Sequence, residues 1–397
     1  MAWVERRART GAKGKRVVNY RVRWRDPDGR ARAKTFPRKI DADRFAAEIS
    51  ADIVRGHYYD PDAGKISFKE YAVGWLAAQT FDEGTHEAVE LRLRLHAYPT
   101  LGPKLLAEVK PSTIQNWLRG LSELAPTYRK VLYANVSTVF TAAVDDNLIQ
   151  KNPCKAPSVR RPKTEPRKMV PWTVGQVDDV RETLTEKYRL VAHLGAGLGL
   201  RQGEIFGLSP DDIDIENAEV RVVRQVKIRA GNKLLFGLPK GRKTRTVPLP
   251  DSVLEAINVH MTKFPPRDVT MAWDRLDGAE RTVSLLLTTR ERGALNRNYF
   301  NTRIWRPALK KAGMESKREN GCHALRHFYA STLLDGGESI KALSEHLGHS
   351  DPGFTLRTYT HLMPNSNERT RKTIDAVFGH DSDGTPAGNG PDDEDDE

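Results

Sequence analysis

The chain has 397 residues, with 64 Lys and Arg against 52 Asp and Glu, a formal net charge of +12. Eight of the acids fall in residues 381–397, a stretch without Lys or Arg, so the rest of the chain carries +20. Such an excess favours a polyanionic partner, because Lys and Arg displace counterions condensed on phosphates; a well-solvated surface is the plainer alternative. Two cysteines, Cys154 and Cys322, argue against a disulfide framework and show no zinc-ligand spacing. The first residues lack the apolar core of a signal peptide, and no run approaches the ~18 apolar residues of a membrane span. A cytoplasmic protein with no membrane partner is expected.

Residues 1–62 read as a small basic β-sheet with one helix. Val18, Tyr20, Val22 and Trp24 alternate with Asn19, Arg21, Arg23 and Arg25, and side chains of a strand alternate between faces. One face is then apolar and the other carries a row of arginines. The turn Asp26-Pro27-Asp28-Gly29 leads to a second strand with Arg30, Arg32 and Lys34 on one side. A helix is expected over residues 41–55, with Phe45, Ile49 and Ile53 at helical spacing. A cationic ribbon fits the DNA major groove, so Arg21, Arg23 and Arg25 are candidate DNA contacts; the alternative is a sheet edge protected by charge.

Residues 65–150 predict four helices. Ser67 is placed to cap the first, which shows Phe68, Tyr71, Trp75 and Leu76 on one face. The second spans residues 85–98, the third starts near Ser112, and the fourth covers 126–145 with Val131, Leu132, Val136, Val139, Phe140 and Ala143 as its packing face. Residues 151–168 read as a linker whose four prolines discourage helix. Its Lys and Arg residues, Arg160 and Arg161 among them, suit an extended strap along a phosphate backbone.

Residues 169–380 predict a mainly α unit with a small antiparallel sheet, and residues 381–397 a disordered acidic tail. Thr173 caps one helix, and residues 188–198 form another. Strands are expected over 218–228, 234–238, 244–249 and near 284–288. Towards the end come HALRH, beginning at His323, LGHS, with His349, and RTYTH, with Tyr359; Arg201 lies upstream in GLGLRQGEIFGL. A phenol has an unperturbed pKa of about 10 and is a weak nucleophile at neutral pH. Attack on a phosphodiester therefore needs proton removal and cations that neutralise developing charge, which permanently protonated guanidinium forks supply. His323 and Arg326, three apart, share a helix face. Read singly, a lone His or Tyr of this kind is most often structural.

Taken together, the order and local wording of these residues resemble the catalytic core of the tyrosine recombinases, the phage-integrase family. The resemblance is specific over residues 195–362, looser over 65–168 and weakest before 62. It implies a multidomain fold, mainly α with small antiparallel sheets. An arm-type DNA-binding domain would occupy residues 1–62, a helical core-binding (SAM-like) domain 65–150, and a mixed α/β catalytic domain 169–380. It implies Tyr359 as nucleophile, Arg201 and Arg326 as ligands of the scissile phosphate, and His323 and His349 as hydrogen-bonding and proton-transfer groups. Glu204 would support Arg201. A lysine on a β-hairpin would protonate the leaving 5′ oxygen; residues 238–249 resemble that hairpin, with Lys240 the better match and Lys243 the competitor. His327 reads as a packing residue or a support behind the catalytic groups rather than as a catalyst.

The function so implied is site-specific recombination by an integrase of a phage or other mobile element, through a 3′-phosphotyrosyl intermediate and without metal or nucleotide cofactor. The expected partners are double-stranded attachment sites and, in the synapse, three further copies of the chain. An excisionase or a host DNA-bending protein are candidate accessory factors. The helix expected over 365–378 would dock on a neighbouring subunit. Two rival readings are a type IB topoisomerase-like enzyme that relaxes DNA, and a non-catalytic DNA-binding regulator on the same fold.

Overall fold

The computed structural model describes residues 2–10, 16–27, 29–55, 63–164, 169–359, 371, 372, 374, 375 and 378. The chain divides into two compact units, Met1–Pro166 and Arg167–Glu397. Both are built as expected from the sequence, mainly from helices with small antiparallel sheets. Among the described residues no helix is long and apolar enough to cross a membrane. The expected tail, and most of the helix expected over 365–378, fall outside the described residues.

The first unit opens with strands β1 (Trp3–Thr10), β2 (Arg16–Arg25) and β3 (Ala31–Phe36), paired antiparallel in that order. Helix α1 (Lys39–Val54) lays Ala42, Ala46 and Ile49 against Val22 and Trp24, all buried. The register corrects a simple picture of one cationic face. Val22 stands opposite Lys34 and Trp24 opposite Arg32, whereas Arg21 faces Thr35 and Arg23 faces Ala33. Directly paired residues share a face, so the two cationic rows lie on opposite sides of the sheet. On the α1 side Lys34 sits over the rings of Phe36 and Phe45, and Arg32 pairs with Asp26 at 3.2 Å. Arg21, Arg23 and Arg25 lie on the other side, where Glu5 of β1 reaches Arg23 at 3.5 Å. Arg30 precedes β3, its N–H donating to Asp26 Oδ1 at 2.7 Å to close the turn.

The same unit contains α2 (Phe68–Ala77), α3 (Glu83–Arg92), α4 (Pro111–Arg119) and α5 (Pro126–Asp145). Ser67 caps α2 by accepting the Glu70 N–H at 3.2 Å. Phe68, Leu93, Ile114, Trp117, Val136 and Phe140 form the core, with the Phe68 and Phe140 rings 5.1 Å apart. Val131, expected in that face, is instead 40% exposed. The first half of the expected linker is anchored. Asn152 Nδ2 donates to the Ser137 carbonyl at 2.8 Å while its Oδ1 accepts the Cys154 N–H, and Cys154 and Val159 are buried in the helical core. Proline excludes helix there but does not exclude packing.

The second unit runs α6 (Val174–Thr183), α7 (Glu186–Leu198), α8 (Gln202–Phe206), β4 (Ile213–Asp214), β5 (Glu219–Val222), β6 (Gln225–Ile228), β7 (Leu234–Gly237) and β8 (Arg245–Pro248). It continues with α9 (Asp251–Lys263), β9 (Arg267–Ala272), β10 (Glu280–Leu285), α10 (Arg297–Phe300), α11 (Arg306–Lys311), α12 (His323–Asp335), α13 (Ile340–Leu347) and α14 (Pro352–Tyr359). Thr173 caps α6 in a capping box with Gln176. The strands make three separate small sheets: β4-β5-β8, β6-β7 and β9-β10. Residues 238–249 are therefore not a hairpin, because β7 pairs with β6 and β8 with β5. The connection from β7 to β8 crosses from one sheet to another. Leu194, Leu198, Phe206, Phe300, Trp305 and Leu325 belong to the core beneath α12.

Replacing Phe140 by Ala removes a ring with no exposure from the helical core and is expected to cost about 3–5 kcal/mol. Urea unfolding of the first unit, followed by the fluorescence of buried Trp117, measures this; a loss under about 1 kcal/mol would contradict the packing described.

Candidate active site

Three segments far apart in sequence converge on the C-terminal end of α13. The last carbonyls of a helix have no partner within it and carry the negative end of its dipole. Here guanidinium groups take that place in succession. Arg245 Nε donates to the His346 carbonyl at 2.7 Å, Arg326 Nη2 to the Leu347 carbonyl, and Arg201 Nη2 to the Gly348 carbonyl at 3.2 Å. Gly348 ends the helix at φ +61°, and a Cβ there would lie 2.9 Å from Arg245 Cδ. Glycine alone allows both the left-handed turn and the close arginine.

Each arginine is fixed by its own element. Arg201 is the N-cap residue of α8, and its N–H donates to Glu204 Oε2 at 2.8 Å while Nη1 reaches Oε1 at 3.0 Å. Glu204 also accepts a bidentate pair from Arg245, at 3.0 and 2.8 Å. Arg326 projects from α12, is 1% exposed, and donates Nη1 to the Gly199 carbonyl at 2.7 Å. The start of α12 is held by two stacked indoles: Trp172 Nε1 donates to Asn320 Oδ1 and Trp305 Nε1 to its carbonyl.

Burial by itself would raise the Glu204 carboxyl, but Arg245 and Arg201 bring it down to about 2. Burial first and Arg201 next lower Arg326 to about 9, so it stays protonated at neutral pH. Three guanidiniums face one carboxylate, which leaves positive charge in excess around the three carbonyls.

The imidazoles and the phenol complete the group. His349 Nε2 accepts from Arg326 Nη2 at 3.1 Å. Its Nδ1 must then carry the proton that goes to Thr355 Oγ1, 2.7 Å away. Burial, then Arg326 and Arg201, hold His349 near 4 and therefore neutral. His323 opens α12 with an exposed edge, its ring 4.7 Å from that of His327. Burial of the remaining surface and the charge of His327, Arg326 and Arg201 push it down to about 3.

Tyr359, the last residue of α14, is 1% exposed, and its hydroxyl lies 2.8 Å from His327 Nδ1. Burial and the neighbouring charge of Arg326 hold His327 near 4, so a neutral ring faces the phenol. Burial raises Tyr359 to about 12 although Arg326 and Arg201 pull the other way.

Arg201, Glu204, His323, Arg326, His349 and Tyr359 thus come together. Lys240 does not join them: it and Lys243 are exposed on the connection from β7 to β8. Arg160 is exposed, its backbone N–H donating to Gln115 Oε1 at 2.8 Å, and Arg161 is exposed beside it. Sequence reasoning missed Arg245, Thr355 and the contact of His327 with the phenol. Arg245 had a signal, since it shares a strand face with buried Val247 and so points a charge inwards.

The phage integrase family model matches residues 175–366, the stretch that contains Arg201, Glu204, Arg245, His323, Arg326, His349 and Tyr359. The chain is a tyrosine recombinase of the phage integrase family. This recombinase is 27% identical to the integrase of Mycobacterium phage L5 over 333 residues, covering 82% of this chain and 85% of that one. It is 28% identical to a XerC-like tyrosine recombinase of Caldanaerobacter subterraneus over 286 residues, 68% of this chain and 72% of the other. Among solved structures, the Tn1549 transposon integrase in complex with transposon right end DNA covers 79% of the recombinase and all of its own chain, with TM-score 0.64 and 21% identity. A lambda integrase tetramer bound to a Holliday junction covers 85% and 91%, with TM-score 0.56 and 16% identity.

The depressed Glu204 carboxyl has a testable consequence. A folded-state pKa of about 2 against an ordinary 4.5 favours folding above 4.5, and that contribution drains away as pH falls from 4.5 towards 2. Glu204→Gln is expected to lose about 3–5 kcal/mol at neutral pH and to lose less relative to the parent below pH 4.5. Urea unfolding of both proteins across that range checks the sign.

Proposed function

We propose that this site-specific DNA recombinase cuts and rejoins strands through Tyr359, as an integrase of a phage or other mobile element. The observation that carries the reading is the excess of guanidinium charge at the end of α13, beside a phenol that already faces a neutral imidazole. Arg201 and Arg326 bind the non-bridging oxygens of the scissile phosphate through guanidinium donors beyond those held by the helix carbonyls. The exposed edge of His323 contacts the same phosphate, and His349, oriented by Thr355, holds Arg326 in line. The Tyr359 oxygen attacks phosphorus and its proton passes to His327 Nδ1. The bond from phosphorus to the 5′ oxygen breaks, and that oxygen takes a proton from Lys240. A 3′-phosphotyrosyl link and a 5′-hydroxyl result; a 5′-hydroxyl of a partner duplex reverses the step and rejoins the strand. Charge neutralisation by guanidinium groups leaves no task for a metal ion, and the phosphotyrosyl bond leaves none for a nucleotide.

The first unit supplies DNA contacts. Arg21, Arg23 and Arg25, on the sheet face away from α1, serve as the arm-type surface, and the bundle of α2 to α5 serves as the core-binding domain. Arg160 and Arg161 lie on the strap beyond it. Cutting two duplexes requires four protomers, as in the tetramer of the lambda integrase. Exposed Ile374 and Phe378 suit docking on a neighbour. The direction of the reaction would be set by an excisionase or a host DNA-bending protein. The enzyme works in the cytoplasm.

Incubation with a nicked duplex of the element's junction, followed by a denaturing gel and peptide mapping, is expected to give a covalent adduct on Tyr359. Tyr359→Phe should form none, and His327→Leu should form it about 10²- to 10⁴-fold more slowly. An adduct in the Phe variant sinks the mechanism. Separately, Arg21→Ala, Arg23→Ala and Arg25→Ala should each lower the salt dependence of arm-site binding by about one unit of slope. A slope unchanged in all three would remove that face from the DNA contacts.

A further inference from the structure

The lysine connection has a support of its own, outside the guanidinium cluster. The turn after β9 is pinned to β7: Asp274 donates its N–H to the Phe236 carbonyl at 2.7 Å, and Trp273 bridges Phe236. Asp274 adopts φ 65°, a conformation that Asp tolerates better than most residues. Its carboxylate then takes two cations, Lys227 Nζ of β6 at 2.9 Å and Arg242 Nη1 at 2.9 Å. Gly237 leaves room for this, since a Cβ there would stand 2.6 Å from Lys227 Nζ. Lys227 first, and then Arg242, hold the Asp274 carboxyl below its usual range.

Arg242 is two residues beyond Lys240 in one tight turn, closed by the Arg242 N–H on the Pro239 carbonyl at 2.9 Å. Leu238 and Thr244, at its two ends, border a hollow of about 520 Å³ that Trp273 and Arg281 line from the other side. At the near end Gln225 Nε2 donates to the Leu238 carbonyl at 2.7 Å.

We propose that Asp274 is a positioning residue for Lys240. The ion pair with Arg242 tethers the lysine turn to the β9-β10 hairpin, and so sets where the ammonium waits for the departing 5′ oxygen. The proposal rests on the reading of Lys240 as the proton donor in strand cleavage. In that step the P–O5′ bond breaks and the Lys240 proton goes to the 5′ oxygen. A sulfur in that bridging position leaves without a proton, so a defect confined to proton donation disappears with it.

The test is single-turnover cleavage of a nicked junction duplex carrying either the ordinary 5′ oxygen or a 5′-bridging sulfur. With oxygen, Asp274→Asn and Arg242→Met are each expected to slow cleavage about fivefold, the scale of one largely exposed ion pair. The double variant should be no slower than either, because both break one contact. With sulfur, all three should cleave like the parent. Arg242 is exposed, so its variant guards against a folding artefact of the Asp274 change. If Lys240→Ala is rescued by sulfur and Asp274→Asn is not, the tether is wrong and the lysine reading stands. If Lys240→Ala is not rescued, the lysine reading fails and the proposal with it. Normal cleavage of the oxygen substrate by both tether variants also overturns it.

Discussion

The structure of the catalytic unit depends on how the end of α13 is satisfied. A helix terminus buried without partners is costly, and three carbonyls in a row point into one place. Filling that place with guanidinium groups meets the hydrogen-bonding need of the helix and concentrates cations at once. Glu204 makes the concentration tolerable, since its two oxygens accept from both Arg201 and Arg245. Charge of one sign is thus stored in the folded protein with just enough compensation to keep it there. In the proposed mechanism, the anion that completes the balance is the scissile phosphate.

Much of this was legible from residue order alone. Ser67 and Thr173 were readable as caps because a hydroxyl before a periodic apolar stretch has few other uses. Arg201, Arg326, His349 and Tyr359 were readable because their local strings are distinctive, and the structure gathers them. What escaped were groups whose role exists only in three dimensions. Thr355 is an ordinary helix residue until His349 needs an acceptor for its Nδ1 proton. His327 looked like packing because its neighbour in the motif was the more familiar histidine, yet its ring faces the phenol. Strand pairing was equally hidden. The segment around Lys240 has the wording of a hairpin, but its flanking strands have different partners. β1 and β9 carry too many charges, and too short an apolar alternation, to stand out from loop, and the strand expected near 284–288 lies earlier, as β10 ending at Leu285.

The N-terminal sheet shows the same limit. Alternation assigns each arginine to a face of its own strand but cannot say which faces coincide across strands. That depends on register, and register is set by the turn and by which residues α1 covers. Lys34 ends up over the Phe36 and Phe45 rings, a use of a long cationic side chain as a lid over apolar surface, while Arg32 is taken by Asp26. The cationic surface away from α1 comes from β2 and from Arg7 of β1, with Glu5 of β1 moderating it.

The convergence on α13 also bears on safety. Arg201 meets Gly348 across 147 residues and Arg245 meets His346 across 101. No fragment emerging early in synthesis, and no locally collapsed chain, contains the assembled cage. The residues proposed to cut DNA are therefore not gathered until nearly the whole catalytic unit has folded, and they part as soon as that unit opens. Long-range closure ties the proposed cutting centre to the intact fold.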